Sequence, residues 1–177
     1  MTKKKKGKSS AELIEVVDRS NRPLALMPIQ EVHRQGLFHR SVLVLIHDLH
    51  NRLLLQQRSR GKTLYPGRLD LSAAGHVKAG ESCLGAGIRI IDQDLGIRQR
   101  NLKHVVTIQG DSETSFEFIT LYRAGRINSI PLPDSREIED LVYVDQDEMN
   151  ALAQQFPELL TPGLVYFWEK NLLFPPK

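Results

Sequence analysis

The segment GHVKAGESCLGAGIRIIDQDLGI, Gly75–Ile97, sets out a loop, a helix and a second turn in succession. Gly75 to Ser82 reads as a loop, and Ser82 is a good N-cap because its hydroxyl can satisfy an orphaned backbone N–H of the next turn. The residues that follow read as a helix on which positions 90, 93 and 94 fall on one side. Gly85 and Gly87 cost such a helix about 1 kcal/mol each relative to Ala, a cost that makes sense where another backbone approaches closely. A plainer reading is an ordinary amphipathic helix with Leu84, Ile88 and Ile91 turned to a core.

The stretch resembles the Nudix box, a loop-helix-loop in which glutamates hold divalent metals against a pyrophosphate. Six of its nine fixed positions match: Gly75, Glu81, Arg89, Ile91, Gly96 and Ile97. Asp94 stands where the family has its last glutamate, and Ile90 and Gln93 replace the other two. Three carboxylates on that side would make a hard-oxygen site for Mg²⁺, which takes ligands at about 2.1 Å. The resemblance implies a metal, Mg²⁺ or Mn²⁺, with Asp94 and Gln93 as the ligands left to the box. It also implies a structural ion pair between Glu81 and Arg89. The implied fold is α/β, a Nudix-type α/β/α sandwich with a central mixed β-sheet.

Composition limits the alternatives. The chain has 177 residues, 41% hydrophobic, enough for one domain with a real core. No apolar run approaches a membrane span and no signal-peptide pattern follows the N-terminus, so a cytoplasmic protein without membrane contact is expected. Cys83 is the only cysteine, which excludes a disulfide framework. It is expected to be a semi-exposed structural thiol. The net charge of +3 comes from Lys3, Lys4, Lys5, Lys6 and Lys8, and without those five residues 11–177 carry −2. Residues 1–10 therefore read as a disordered basic arm ahead of a single domain over 11–177, with no specific nucleic-acid partner.

Alternation and turn signals place the remaining elements. ELIEVVD and PLALMPI flank a turn at Arg19–Arg22 and predict a hairpin. QEVHRQG predicts a short helix ending at Gly36. SVLVLIHD and RLLLQQRS around His50 and Asn51 predict a second hairpin. KHVVTIQG, TSFEFITLYRA and EIEDLVYVD read as strands, and DQDEMNALAQQF and TPGLVYFWEKNL as helices. Strands in the middle with helices on both sides fit the α/β/α sandwich.

Outside the box, FHRSVLVLIHD, LLLQQRS with Lys62, LYPGRLDLSAAGH and TPGLVYFWEKN resemble the isopentenyl-diphosphate-isomerase-like branch of the Nudix superfamily. That resemblance implies a single metal held by His39, His76 and Glu117, with His33 a weaker candidate because its spacing to His39 differs. Imidazole with carboxylate suits Mn²⁺ or Zn²⁺ better than Mg²⁺. The catalytic cysteine of the isomerases falls at Ala74, whose methyl group cannot donate a proton. A second metal-binding carboxylate falls at Ser115. Arg58 and Lys62 stand where relatives hold the substrate diphosphate, and a guanidinium binds phosphate oxygens bidentately. Glu137, then Glu139, are candidates for a general base from outside the box. His47, His50 and His104 read as surface or structural.

Three readings follow. The first is a metal-dependent hydrolase of a diphosphate linkage in a nucleoside or other organic diphosphate, with catalytic Glu137, Glu139 and Glu117. The second is an inactive diphosphate-binding relative, for which Ile90 is the best sign. The third is an isomerase-like protein without the cysteine. Nudix domains often dimerise, so a homodimer is compatible with all three.

Overall fold

The computed structural model describes residues 12–175 except 113. The basic arm over 1–10 lies outside the described residues.

The chain enters through an antiparallel hairpin of β1 (Leu13–Val17) and β2 (Pro23–Pro28). Its turn is closed by the Asp18 carboxylate, which accepts from the backbone N–H groups of Ser20 and Arg22. Helix α1 (Ile29–Gln35) follows and stops at Gly36, whose φ of +61° is the left-handed conformation that glycine takes without penalty.

The main sheet is mixed. β3 (His39–Leu45) lies between β6 (Ala73–His76), antiparallel, and β8 (Glu117–Ala124), parallel, and β7 (Leu102–Ile108) completes the order β6-β3-β8-β7. A second sheet, all antiparallel, has β4 (Leu53–Arg58) between β5 (Leu69–Asp70) and β9 (Ile138–Val144). Side chains of a strand point alternately to its two faces, and β3 uses that to build two cores. Val42 and Val44 pack with α2 (Cys83–Leu95) through Ile90, Ile91 and Leu95. Leu43 and Leu45 pack on the other side with α3 (Gln146–Gln155) and α4 (Pro162–Glu169) through Met149, Leu164 and Phe167. Helices therefore cover both faces, the α/β/α arrangement expected from the sequence.

The expected β3–β4 hairpin is a correction. A tight turn does form at Asp48–Asn51, but the two runs meet only at a single bridge, His47 to Leu53, before diverging into different sheets. Both runs are buried on both faces, and such strands carry no alternation to name their partner.

Candidate active site

Helix α2 is fixed at both ends. Ser82 accepts from the Gly85 N–H at 3.0 Å, and Gly96 caps the other end in the left-handed conformation. Arg89 and Glu81 pair bidentately at 2.8 Å each way, and Arg89 also donates to the His76 carbonyl at 3.0 Å. The helix thus grips the Gly75–His76 turn. Burial alone would raise the Glu81 carboxyl, yet the Arg89 bonds hold it below its ordinary value.

Close approach explains the glycines, although side chains rather than backbone make it. A Cβ at Gly87 would meet Leu102 at 2.9 Å and Val42 at 3.3 Å. A Cβ at Gly75 would stand 2.8 Å from the Ile90 side chain. Ile90 is 2% exposed and belongs to the core beneath that turn. Leu84, by contrast, is exposed at 42%, so the apolar face of α2 is centred on Ile90 and Ile91.

Among the described residues, one group of three or more candidate metal-ligating side chains converges, formed by His33, His39, His76 and Glu117, whose ligand atoms all lie within 4.8 Å of one another. Each comes from a different element: α1, the first residue of β3, the last of β6 and the first of β8. The parallel β3–β8 register sets His39 opposite Glu117, and the antiparallel β3–β6 register sets Ser41 opposite His76. Glu117 Oε1 is 3.7 Å from His39 Nε2 and 3.8 Å from His76 Nε2, and the Nε2 atoms of His33 and His76 are 3.2 Å apart. Burial tends to raise the Glu117 carboxyl, but the imidazoles of His39 and His76 close beside it outweigh that and hold the group well below the usual carboxylate range. The His33 ring is driven the other way, toward neutrality, first by burial and then by the charges of His76 and His39.

His39 supplies the fit test for a metal. Its Nδ1 is 2.8 Å from the Leu37 carbonyl, which leaves the Nε2 lone pair aimed at the cluster. The ring is fully buried and that Nε2 has no hydrogen-bond partner among the described residues. A buried polar atom without a partner costs about 1–3 kcal/mol, and a metal bond removes that cost. Two nitrogens bound to one ion at about 2.1 Å stand about 3.0–3.4 Å apart, close to the His33–His76 separation. The donor set fits a divalent ion.

The other expected site residues lie outside this cluster. Gln93 is exposed and accepts from Arg89 at 3.3 Å. Asp94 is partly buried, and its carboxyl is pushed up to about 6, first by burial and then by the charge of Glu137, with Lys62 opposing. Glu137 is ion-paired with Lys62, and Glu139 with Arg60. Arg58 is spent within the fold, on Asp70 at 3.0 Å and the Leu64 carbonyl at 3.1 Å. Asp70 also takes the hydroxyl of Thr161, so it holds the 59–68 loop and the start of α4 together. His33 is the residue that spacing undervalued. The signal was α1 ending at Gly36, because a left-handed cap turns the chain back so that residues 33 and 39 meet.

A mixed-sheet α/β/α domain with a capped loop-helix-loop and a histidine–carboxylate centre defines a class, and the comparisons name it. The family model for the NUDIX domain matches residues 37–162, and the chain belongs to that family. An uncharacterized Nudix hydrolase of Pseudomonas aeruginosa is 39% identical over 95 residues, 54% of this chain and 56% of that one. The match therefore spans about half of that relative. An isopentenyl-diphosphate Delta-isomerase of Nocardia farcinica is 30% identical over 159 residues, covering 85% of this chain and 89% of that one. In structure, a Deinococcus radiodurans protein superposes with a TM-score of 0.78 over 90% of this chain and 98% of that one, at 18% identity, a likeness of fold. Among the described residues no helix is long and apolar enough to cross a membrane.

Proposed function

We propose that the chain hydrolyses a diphosphate linkage in a small organic diphosphate, using a divalent metal seated on His33, His39, His76 and Glu117. The observation that carries this reading is the buried, unpartnered Nε2 of His39 facing three further ligand atoms. A bound divalent ion would neutralise diphosphate charge and polarise a phosphorus–oxygen bond. Lys62 supplies a mobile positive charge at the loop after β4, drawn from Glu137 to the phosphate when substrate enters. Asp94 is the proton acceptor: with a pKa near 6 it is ionised at neutral pH yet basic enough to take a proton from water. Glu137 sustains that basicity through its charge and is the second candidate for the same role. Arg58 acts by holding the loop that carries Lys62.

The test is product release from nucleoside, dinucleotide, sugar and prenyl diphosphates, with Mg²⁺ and Mn²⁺ supplied separately. Metal-dependent turnover of one class is expected, and His76→Ala should remove it. Turnover that survives His76→Ala unchanged refutes this seat for the metal.

A specific observation favours a second reading, diphosphate binding without chemistry. Ile90 stands at the first of the three metal-side glutamate positions and is locked against Gly75. Tight binding of a diphosphate by folded, metal-loaded protein with no product would favour it. An isomerase route is disfavoured by the methyl group of Ala74.

A further inference from the structure

β3 and β8 run in parallel away from the histidine cluster, and at their far end they frame a second cavity with several polar and basic residues in its wall. Between Glu117 and Arg123 the strand rises roughly 20 Å at about 3.3 Å per residue, so the two centres are separate. The cavity, of about 180 Å³, is lined by His47, Asn51, Asn101, Lys103, Arg123 and Arg126 together with small and apolar neighbours, and among the described residues no carboxylate lines it.

Three buried polar atoms of that lining have no hydrogen-bond partner among the described residues: His47 Nε2, Asn51 Oδ1 and Arg123 Nε. His47 is 2% exposed. Burial keeps the ring neutral, and a neutral imidazole whose unpartnered nitrogen is Nε2 can present its lone pair there. Arg123 donates through Nη2 to the Leu172 carbonyl at 3.0 Å, leaving its Nε–H unused. Asp48, next to His47 in sequence, is committed to Arg52 at 2.7 Å.

The unused set is therefore two acceptors and one donor within a cationic lining. A fully ionised oxyanion such as sulfate satisfies the donor and the charge but offers nothing to the two acceptors. A phosphate that keeps a proton near neutral pH satisfies both, since its bare oxygens accept from Arg123 and its hydroxyl donates to His47 or Asn51. We infer that this cavity binds a protonated oxyanion, the hydrogen-phosphate group of orthophosphate or of a small phosphate monoester. Lys103 and Arg126, both exposed, form its charged rim. The site does not depend on the metal centre or on the proposed hydrolysis.

The experiment is calorimetric titration of the full-length, metal-free protein with orthophosphate, methyl phosphate and sulfate, with the His47 ring and Arg123 Nε–H signals followed by NMR. Orthophosphate should saturate below about 10 mM and shift both signals. Sulfate should bind at least about tenfold more weakly. Joint Lys103→Ala and Arg126→Ala replacement, on exposed positions that leave the core intact, should weaken phosphate about tenfold. Methyl phosphate binding as well as orthophosphate points to a monoester as the occupant, and exclusion of methyl phosphate points to the free ion. Equal affinity for sulfate overturns the inference, as does saturation that leaves the His47 and Arg123 signals in place. Absence of saturable binding overturns it outright.

Discussion

Replacing Ile90 with glutamate restores the box carboxylate in name and should damage the protein in fact. Ile90 is 2% exposed, packs under the Gly75–His76 turn and belongs to the α2 core. Losing its buried apolar surface costs about 1.5–3 kcal/mol. Placing a carboxyl there costs about 1–3 kcal/mol more even if it stays protonated. Ile90→Glu should therefore lose about 3–5 kcal/mol, which at about 2–4 °C per kcal/mol lowers Tm by roughly 10 °C. The sign of the pH dependence follows from burial. The new carboxyl's folded-state pKa is raised, so the variant is best off below about pH 4.3 and loses stability as pH climbs through the raised value. Urea denaturation at several pH values reads both effects. A variant that melts within about 2 °C of the parent and gains Mg²⁺-dependent turnover would refute the argument. That result would place position 90 on an open metal face rather than in the core.

Other expectations follow from the same geometry. Asp94→Asn should lower kcat by about 10² or more, and the acid limb of the parent's pH–rate profile should fall near pH 6. Unchanged turnover would remove Asp94 from the site. His47 is held neutral by burial and by Arg123, with its pKa lowered from 6.5 to about 4. Stability should be intact above about pH 6.5 and fall by up to about 3 kcal/mol as the pH drops toward 4. His47→Gln should flatten that slope in acid denaturation, and an equal slope in the variant would contradict the assignment. Glu81→Ala leaves Arg89 half-buried without its partner and should cost about 3 kcal/mol in chemical denaturation. A loss below about 0.5 kcal/mol would make the pair a surface contact.

The sequence revealed most where a residue's role is local. Ser82 as a cap, the end of α1 at Gly36 and the start of α4 at Thr161-Pro162 follow from backbone chemistry within a few residues, and the structure has each. Pairing between distant strands was less legible. β3 and β4 are uniformly buried runs joined by a tight turn, and nothing local says that their neighbours are β8 and β9 instead. The same limit hid the role of Arg58, whose partner Asp70 arrives on the next strand of its sheet. His39, His76 and Glu117 came from family resemblance, with His33 only a weaker candidate, because three-dimensional convergence of four elements leaves little linear pattern beyond the turn at Gly36. Ile90 was legible as an absent ligand, but only packing against Gly75 explains why an apolar side chain is stable there.

Mn²⁺ binding followed by electron paramagnetic resonance reads where the metal sits. One tight Mn²⁺ per chain is expected, weakened at least about 100-fold in affinity in His76→Ala and in Glu117→Gln and retained in Asp94→Ala. Binding that survives His76→Ala and disappears in Asp94→Ala would contradict it and return the metal to the box helix.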